Sequence, residues 1–125
     1  MSRVVMLCVT IALAACSGGD AWDPPLQHWQ DMSVRIETRP SPVREGMNEF
    51  LVIAGRQQRG FTSDLVVHIR TENSDWKQAI PDGALGVYRR ALPVLDAKHD
   101  HLYVRLERNG QRGELMFALS PAGLK

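Results

Sequence analysis

Apolar and polar residues alternate with a period of two along much of the chain. Val34, Ile36 and Thr38 alternate with Arg35 and Glu37, and Leu65, Val67 and Ile69 with Val66, His68 and Arg70. Leu102, Val104 and Leu106 alternate with Tyr103, Arg105 and Glu107, and Leu115, Phe117 and Leu119 with Glu114, Met116 and Ala118. Successive side chains of a strand point to opposite faces, so each stretch predicts a strand with one face in a core and one in water. Residues 48–54 differ, because Phe50, Leu51, Val52 and Ile53 follow one another without a polar break. That run predicts a central strand covered on both faces. Residues 87–92 predict another strand, whose Arg89-Arg90 pair puts one charge on each face, and residues 76–80 a short edge strand.

Turn chemistry separates these stretches. Arg39-Pro40-Ser41-Pro42 ends the first strand, and Glu45-Gly46 turns into the second. Residues 57–63 form a polar loop around Gly60. In Pro81-Asp82-Gly83, proline presets φ and glycine accepts a positive one. Asn109-Gly110 is the pair best suited to a type I′ hairpin, which needs positive φ at both central positions. After residue 20 no run has helical spacing, and Pro24-Pro25 argues against a helix near Trp22 and Trp29. The expectation is an all-β fold, a small antiparallel immunoglobulin-like β-sandwich of about seven strands.

The N-terminus has another character. Arg3 is followed by an apolar run of about ten residues, the length of a signal-peptide core and too short to span a bilayer. The run ends in Leu13-Ala14-Ala15-Cys16, which resembles the bacterial lipobox, cut between Ala15 and Cys16. That resemblance implies a diacylglycerol thioether on Cys16 and an acylated amine, hence a stable hold on the lipid bilayer. An ordinary secretory signal cut elsewhere is the alternative. The division is then a signal peptide over 1–15, a lipidated N-terminus and flexible tether over 16–32, a sandwich over 33–121 and a tail over 122–125. Ser17 in place of aspartate, by similarity to the sorting rule of enteric bacteria, implies the outer membrane, facing the periplasm, over the inner one.

Composition narrows the picture. All 14 acids follow position 15 and one of the 15 bases precedes it, so the mature chain is neutral. A neutral chain gives no electrostatic reason to expect nucleic acid. The only cysteines are Cys8 and Cys16. Cys8 leaves with the signal and Cys16 is alkylated, which leaves the folded part without a thiol, a disulfide or a cysteine metal site and suits the cell envelope.

Two features of the body resemble the YtkA-like and FixH-like envelope domains. Pro42 followed by Gly46-Met47-Asn48 opens a long strand, and Gly86-Val87-Tyr88 opens another before a closing hairpin. The resemblance covers residues 33–119. It implies an immunoglobulin-like fold and, by association, copper handling or oxidase assembly. The stretch after Ile69 lacks the methionine and histidine cluster of many relatives.

Candidate chemistry is sparse. His99-Asp100-His101 is the best metal candidate: in a strand, residues two apart share a face, so the imidazoles of His99 and His101 could reach one ion, with Asp96 or Asp100 adding an oxygen. An exposed polar turn explains the same residues. His68 lies on a polar face, and Ser63-Asp64 with His68 do not make a triad. Phosphate loops, Walker patterns and paired cysteines are absent from the sequence. Arg70, Arg89, Arg90, Arg105, Arg108 and Arg112 make the second half basic in tendency, for an acidic partner, lipid headgroups or plain solvation. Trp22, Trp29 and Trp76 suit a ligand or membrane face, or plugs for the sandwich. The expected function is a non-enzymatic binding or assembly-accessory module with an envelope protein as partner and no cofactor. The alternative is a periplasmic copper-handling protein.

Overall fold

The computed structural model describes residues 22–56 and 64–124. The expected signal peptide, Ala15 and Cys16, the start of the expected tether and the loop around Gly60 lie outside the described residues. The fold is all-β, two antiparallel sheets packed face to face. One sheet has the order β1(Gln27–Trp29), β2(Met32–Arg39), β3(Gly46–Arg56), β7(Val87–Val94), β6(Ile80–Pro81). The other runs β5(Lys77–Gln78), β4(Val66–Arg70), β8(His101–Arg108), β9(Gln111–Ala118). A 3₁₀ turn over Pro121–Leu124 closes the chain.

The alternation places the core as expected. Val34, Ile36, Phe50 and Val52 face Val67, Ile69, Leu102, Val104, Leu106 and Phe117, all buried, with Leu115 partly buried against them. Each such side chain contributes roughly 1.5–3 kcal/mol. On β3, Leu51 is also buried on the outer face, between Glu37 and Arg89, while Ile53 is half-buried. On β7, Arg90 lies in the inward series with Tyr88 and Leu92, and Arg89 points out.

Among the described residues the strands number nine in place of about seven, for two reasons. Residues 76–80 do not form one edge strand. Lys77 pairs with Ile69 in one sheet, Ile80 pairs with Arg89 in the other, and buried Ala79 crosses between them. A strand also forms inside the expected tether, where Gln27 pairs with Val34 and Trp29 with Met32. Three residues are too few for a period to show, and Pro24-Pro25 just before them lacks amide donors.

Both sides of the sandwich are thus closed. The crossing at Ala79 closes one, and β1 docked against β9 closes the other. The Gln27 amide donates to the Met116 carbonyl at 2.6 Å. The Trp29 indole lies over Gly113, where a Cβ would stand 2.0 Å from its Nε1. Asp31, in the β1–β2 turn, accepts from Arg108 at 2.6 Å and Arg56 at 2.9 Å. Those two guanidinium groups, Arg108 first, hold its carboxyl at about 2. Short, covered edges leave little backbone for unwanted pairing.

The hairpin turns as its sequence requires. Arg108 pairs with Gln111, and Asn109 and Gly110 have φ of 54° and 75°. Gly46 has φ of 104°. Buried Asn48 fastens that turn, accepting from the Arg44 amide at 3.1 Å and donating to the Arg44 and Gly46 carbonyls at 2.6 and 3.1 Å.

Candidate functional site

The polar positions of β4, β5, β8 and β9 share the outer face of the four-stranded sheet. Register sets Arg70 beside Tyr103, His68 beside Arg105, Tyr103 beside Met116 and Arg105 beside Glu114. Trp76, just before β5, lies across these rows. The Arg70 guanidinium stacks 4.1 Å from the Tyr103 ring centroid and 5.2 Å from that of Trp76. On the Trp76 ring the Arg105 guanidinium sits at 4.0 Å, and Glu114 holds it by a hydrogen bond of 3.0 Å. The result is a ladder of alternating ring and cation, Tyr103–Arg70–Trp76–Arg105. Each stack contributes about 0.5–1 kcal/mol in a partly exposed setting. Its four members are half-buried, so stiff ring and guanidinium surface remains open to a partner. Exposed Met116 and Val66 and half-buried His68 lie on the same face.

Glu72 and His101 end this strip. Glu72 Oε1 accepts from His101 Nδ1 at 2.8 Å and from the Tyr103 hydroxyl at 3.1 Å, and Oε2 accepts from the His101 amide at 2.8 Å. His101 Nε2 stands 3.0 Å from the Gly123 carbonyl. Both ring nitrogens therefore face acceptors, and only the imidazolium donates at both. Burial works to lower the His101 pKa, but the Glu72 carboxylate and the Gly123 carbonyl outweigh it and raise the value above the usual histidine range. Burial likewise works to raise Glu72, and the donors from His101 and Tyr103 hold it below its usual range. The pair fastens the C-terminal 3₁₀ turn to the sheet.

The structure does not bring His99 and His101 to one site. β8 begins at His101, so strand alternation does not extend back to His99. His99 lies in a turn, with Nδ1 2.9 Å from Asp96 Oδ2. Asp100 is buried and accepts from the amides of Leu95 and Asp96 and from Asn73, at 3.0–3.1 Å. These bonds hold the loop that leads into β8. Among the described residues no cluster of three or more His, Cys, Asp or Glu could hold a metal.

The arginines do not form one basic patch. Arg70 and Arg105 stack on rings, Arg108 is largely buried on Asp31, Arg112 pairs with Glu107, and Arg89 lies near Glu49 and Asp82. The tryptophans divide between two tasks. Trp29 seals a sandwich side and Trp76 joins the ladder. Sequence reading put Arg70, Tyr103 and Arg105 on polar faces but missed the ladder and Glu72. A signal was present, since large aromatics and arginines recur at outward positions. Their partners depend on cross-strand register, which one sequence does not reveal.

No protein-family model matches the chain, and no curated protein matches it. Among solved structures, it is similar to a DUF4426 family protein from Pseudomonas aeruginosa PAO1. The two are 9% identical, with a TM-score of 0.47, over 74% of this chain and 92% of that one. Among the described residues no helix is long and apolar enough to cross a membrane.

Proposed function

We propose that this chain is a lipoprotein of the bacterial cell envelope, held in the bilayer by an acylated Cys16, most naturally in the outer membrane facing the periplasm. Its sandwich serves there as a non-enzymatic binding or assembly-accessory module for another envelope protein. The anchor rests on Leu13-Ala14-Ala15-Cys16 after an apolar core. The observation that carries the binding role is the ladder of Tyr103, Arg70, Trp76 and Arg105 on the outer face of a sheet. Aromatic and arginine side chains fixed in place by their neighbours lose little entropy when a partner covers them, which is why such residues dominate protein interfaces. Copper handling, the alternative, loses support because His99 and His101 are engaged with different partners.

Photo-crosslinking in living cells tests the module. A photoreactive residue at Met116 or His68, beside the ladder, should give a discrete adduct with another envelope protein. The adduct should vanish with Trp76→Ala/Tyr103→Ala and be missing when the probe sits at Leu85, at the far end of the fold. Adducts at Leu85 and none beside the ladder would contradict this assignment.

A further inference from the structure

The chain enters the described fold at one identifiable end of the sandwich. Asp23 and Pro24 line a groove of about 290 Å³ with Thr38 and Ser41, at the closing end of β2. They reach β1 by running beside β2. The same end carries the start of β3 and the finish of β7, because Arg39 pairs with Glu49 and Gly46 with Val94. The opposite end carries the turns at Gln30 and Asn109 and the loop of residues 82–86.

Two large apolar side chains stand open at the end where the chain enters. Met47 is 58% exposed and Leu95 67% exposed. Register makes them neighbours, since Met47 pairs with Pro93 and Leu95 follows Val94, the partner of Gly46. Exposed Ala91 and half-buried Pro93 extend the outward surface of β7 toward them. Arg44 and Lys98 are exposed on the loops beside them, and neither makes an ion pair among the described residues; Glu45 and Asp96 are the neighbouring exposed acids, and Asp96 is held by His99.

From Cys16 to Trp22 is six residues. At ~3.3–3.6 Å per residue the tether spans no more than about 22 Å when fully extended. A fold held that closely presents one end to the bilayer, and the groove beside Thr38 fixes which.

We infer that this end is a membrane-contacting surface: Met47 and Leu95 enter the headgroup–acyl boundary of the bilayer that holds Cys16, with Arg44 and Lys98 at lipid phosphates. The inference rests on acylation of Cys16. Apolar side chains beside cations are the pattern by which interfacial segments sit at that boundary. The arrangement leaves the ladder on a lateral face, clear of the bilayer.

The test uses the full acylated protein in vesicles. With Cys8 removed and Cys16 acylated, single variants Met47→Cys, Leu95→Cys and Leu85→Cys each offer one thiol for an environment-sensitive fluorophore. All three side chains are exposed, so folding is unaffected, as a melting curve verifies. The expected result is a blue shift at positions 47 and 95, with loss of emission when the vesicles contain shallow nitroxide-labelled lipid, and neither effect at 85. Intact mass is read on the same samples. Acylated protein with equal quenching at all three positions, or none at 47 and 95, overturns the membrane-contacting surface and leaves the anchor standing. Protein without acyl chains overturns both.

Discussion

Replacing Gly113 by alanine probes how the sandwich is closed along one side. A Cβ at Gly113 would lie 2.0, 2.4 and 2.8 Å from Nε1, Cδ1 and Cε2 of Trp29. These distances are far inside van der Waals contact, so the indole must leave its seat. Overpacking of this kind costs about 1–3 kcal/mol. For a domain of this size each kcal/mol lowers Tm by roughly 4–8 °C, so Gly113→Ala should melt several degrees or more below the parent. Removing the indole reverses the sign. In a Trp29→Ala background the site is open, and exchanging glycine for alanine in a strand stabilises by about 0.5–1 kcal/mol. The double-mutant cycle should therefore give a coupling of about 1.5 kcal/mol or more, from urea unfolding of the four proteins. Equal effects of Gly113→Ala in both backgrounds would mean that Trp29 does not rest on β9, and the docking of β1 would be wrong.

Other expectations follow from the same geometry. Gly110→Val places a β-branched side chain at φ of 75° and should cost on the order of 1 kcal/mol or more, read as a lower urea midpoint; an unchanged midpoint would contradict the type I′ turn. Val67→Asp puts an unpaired charge at a fully buried position and should abolish the cooperative melt, at a cost of several kcal/mol. The Glu72–His101 pair gives a pH dependence of defined sign. His101 is raised above the ordinary 6.5, so its stabilisation is complete below that value and lost as pH rises through the raised one. Glu72 is lowered from 4.5, so its share is complete above that value and lost as pH falls through the lowered one. Tm should peak between the two and fall on the alkaline side, and His101→Gln should flatten the alkaline fall; a profile unchanged by His101→Gln would refute the pairing. Copper titrated into protein lacking residues 1–16 should be removed by a competing chelator, and stoichiometric binding that resists it and disappears in His99→Ala/His101→Ala would restore the copper reading.

Much of the fold was legible because alternation reports directly on burial. Val67, Val104 and Phe117 stand in the core, where the period-two pattern puts them. The Asn109-Gly110 hairpin was legible because only a few residue pairs tolerate its backbone. What escaped is what depends on contacts distant in sequence. β1 is three residues long and has no period to show. The sheet change at Ala79 leaves no mark in a five-residue stretch that reads equally well as one strand. Asp100 reads as a candidate ligand, yet its Oδ2 accepts from the amides of Leu95 and Asp96 and from Asn73 and so fastens the loop. The ladder draws Trp76, Arg70, Tyr103 and Arg105 from three separate segments, and the register that joins them belongs to the folded sheet.

The central claim is attachment through Cys16, and the N-terminal peptide of the mature protein tests it most directly. Mass spectrometry of that peptide, from protein purified out of membranes, should show a chain beginning at Cys16. The peptide should carry a diacylglycerol thioether and an acyl chain on its amine, and neither modification should occur in Cys16→Ser. A peptide beginning at another residue, or at a Cys16 free of lipid, would contradict the account.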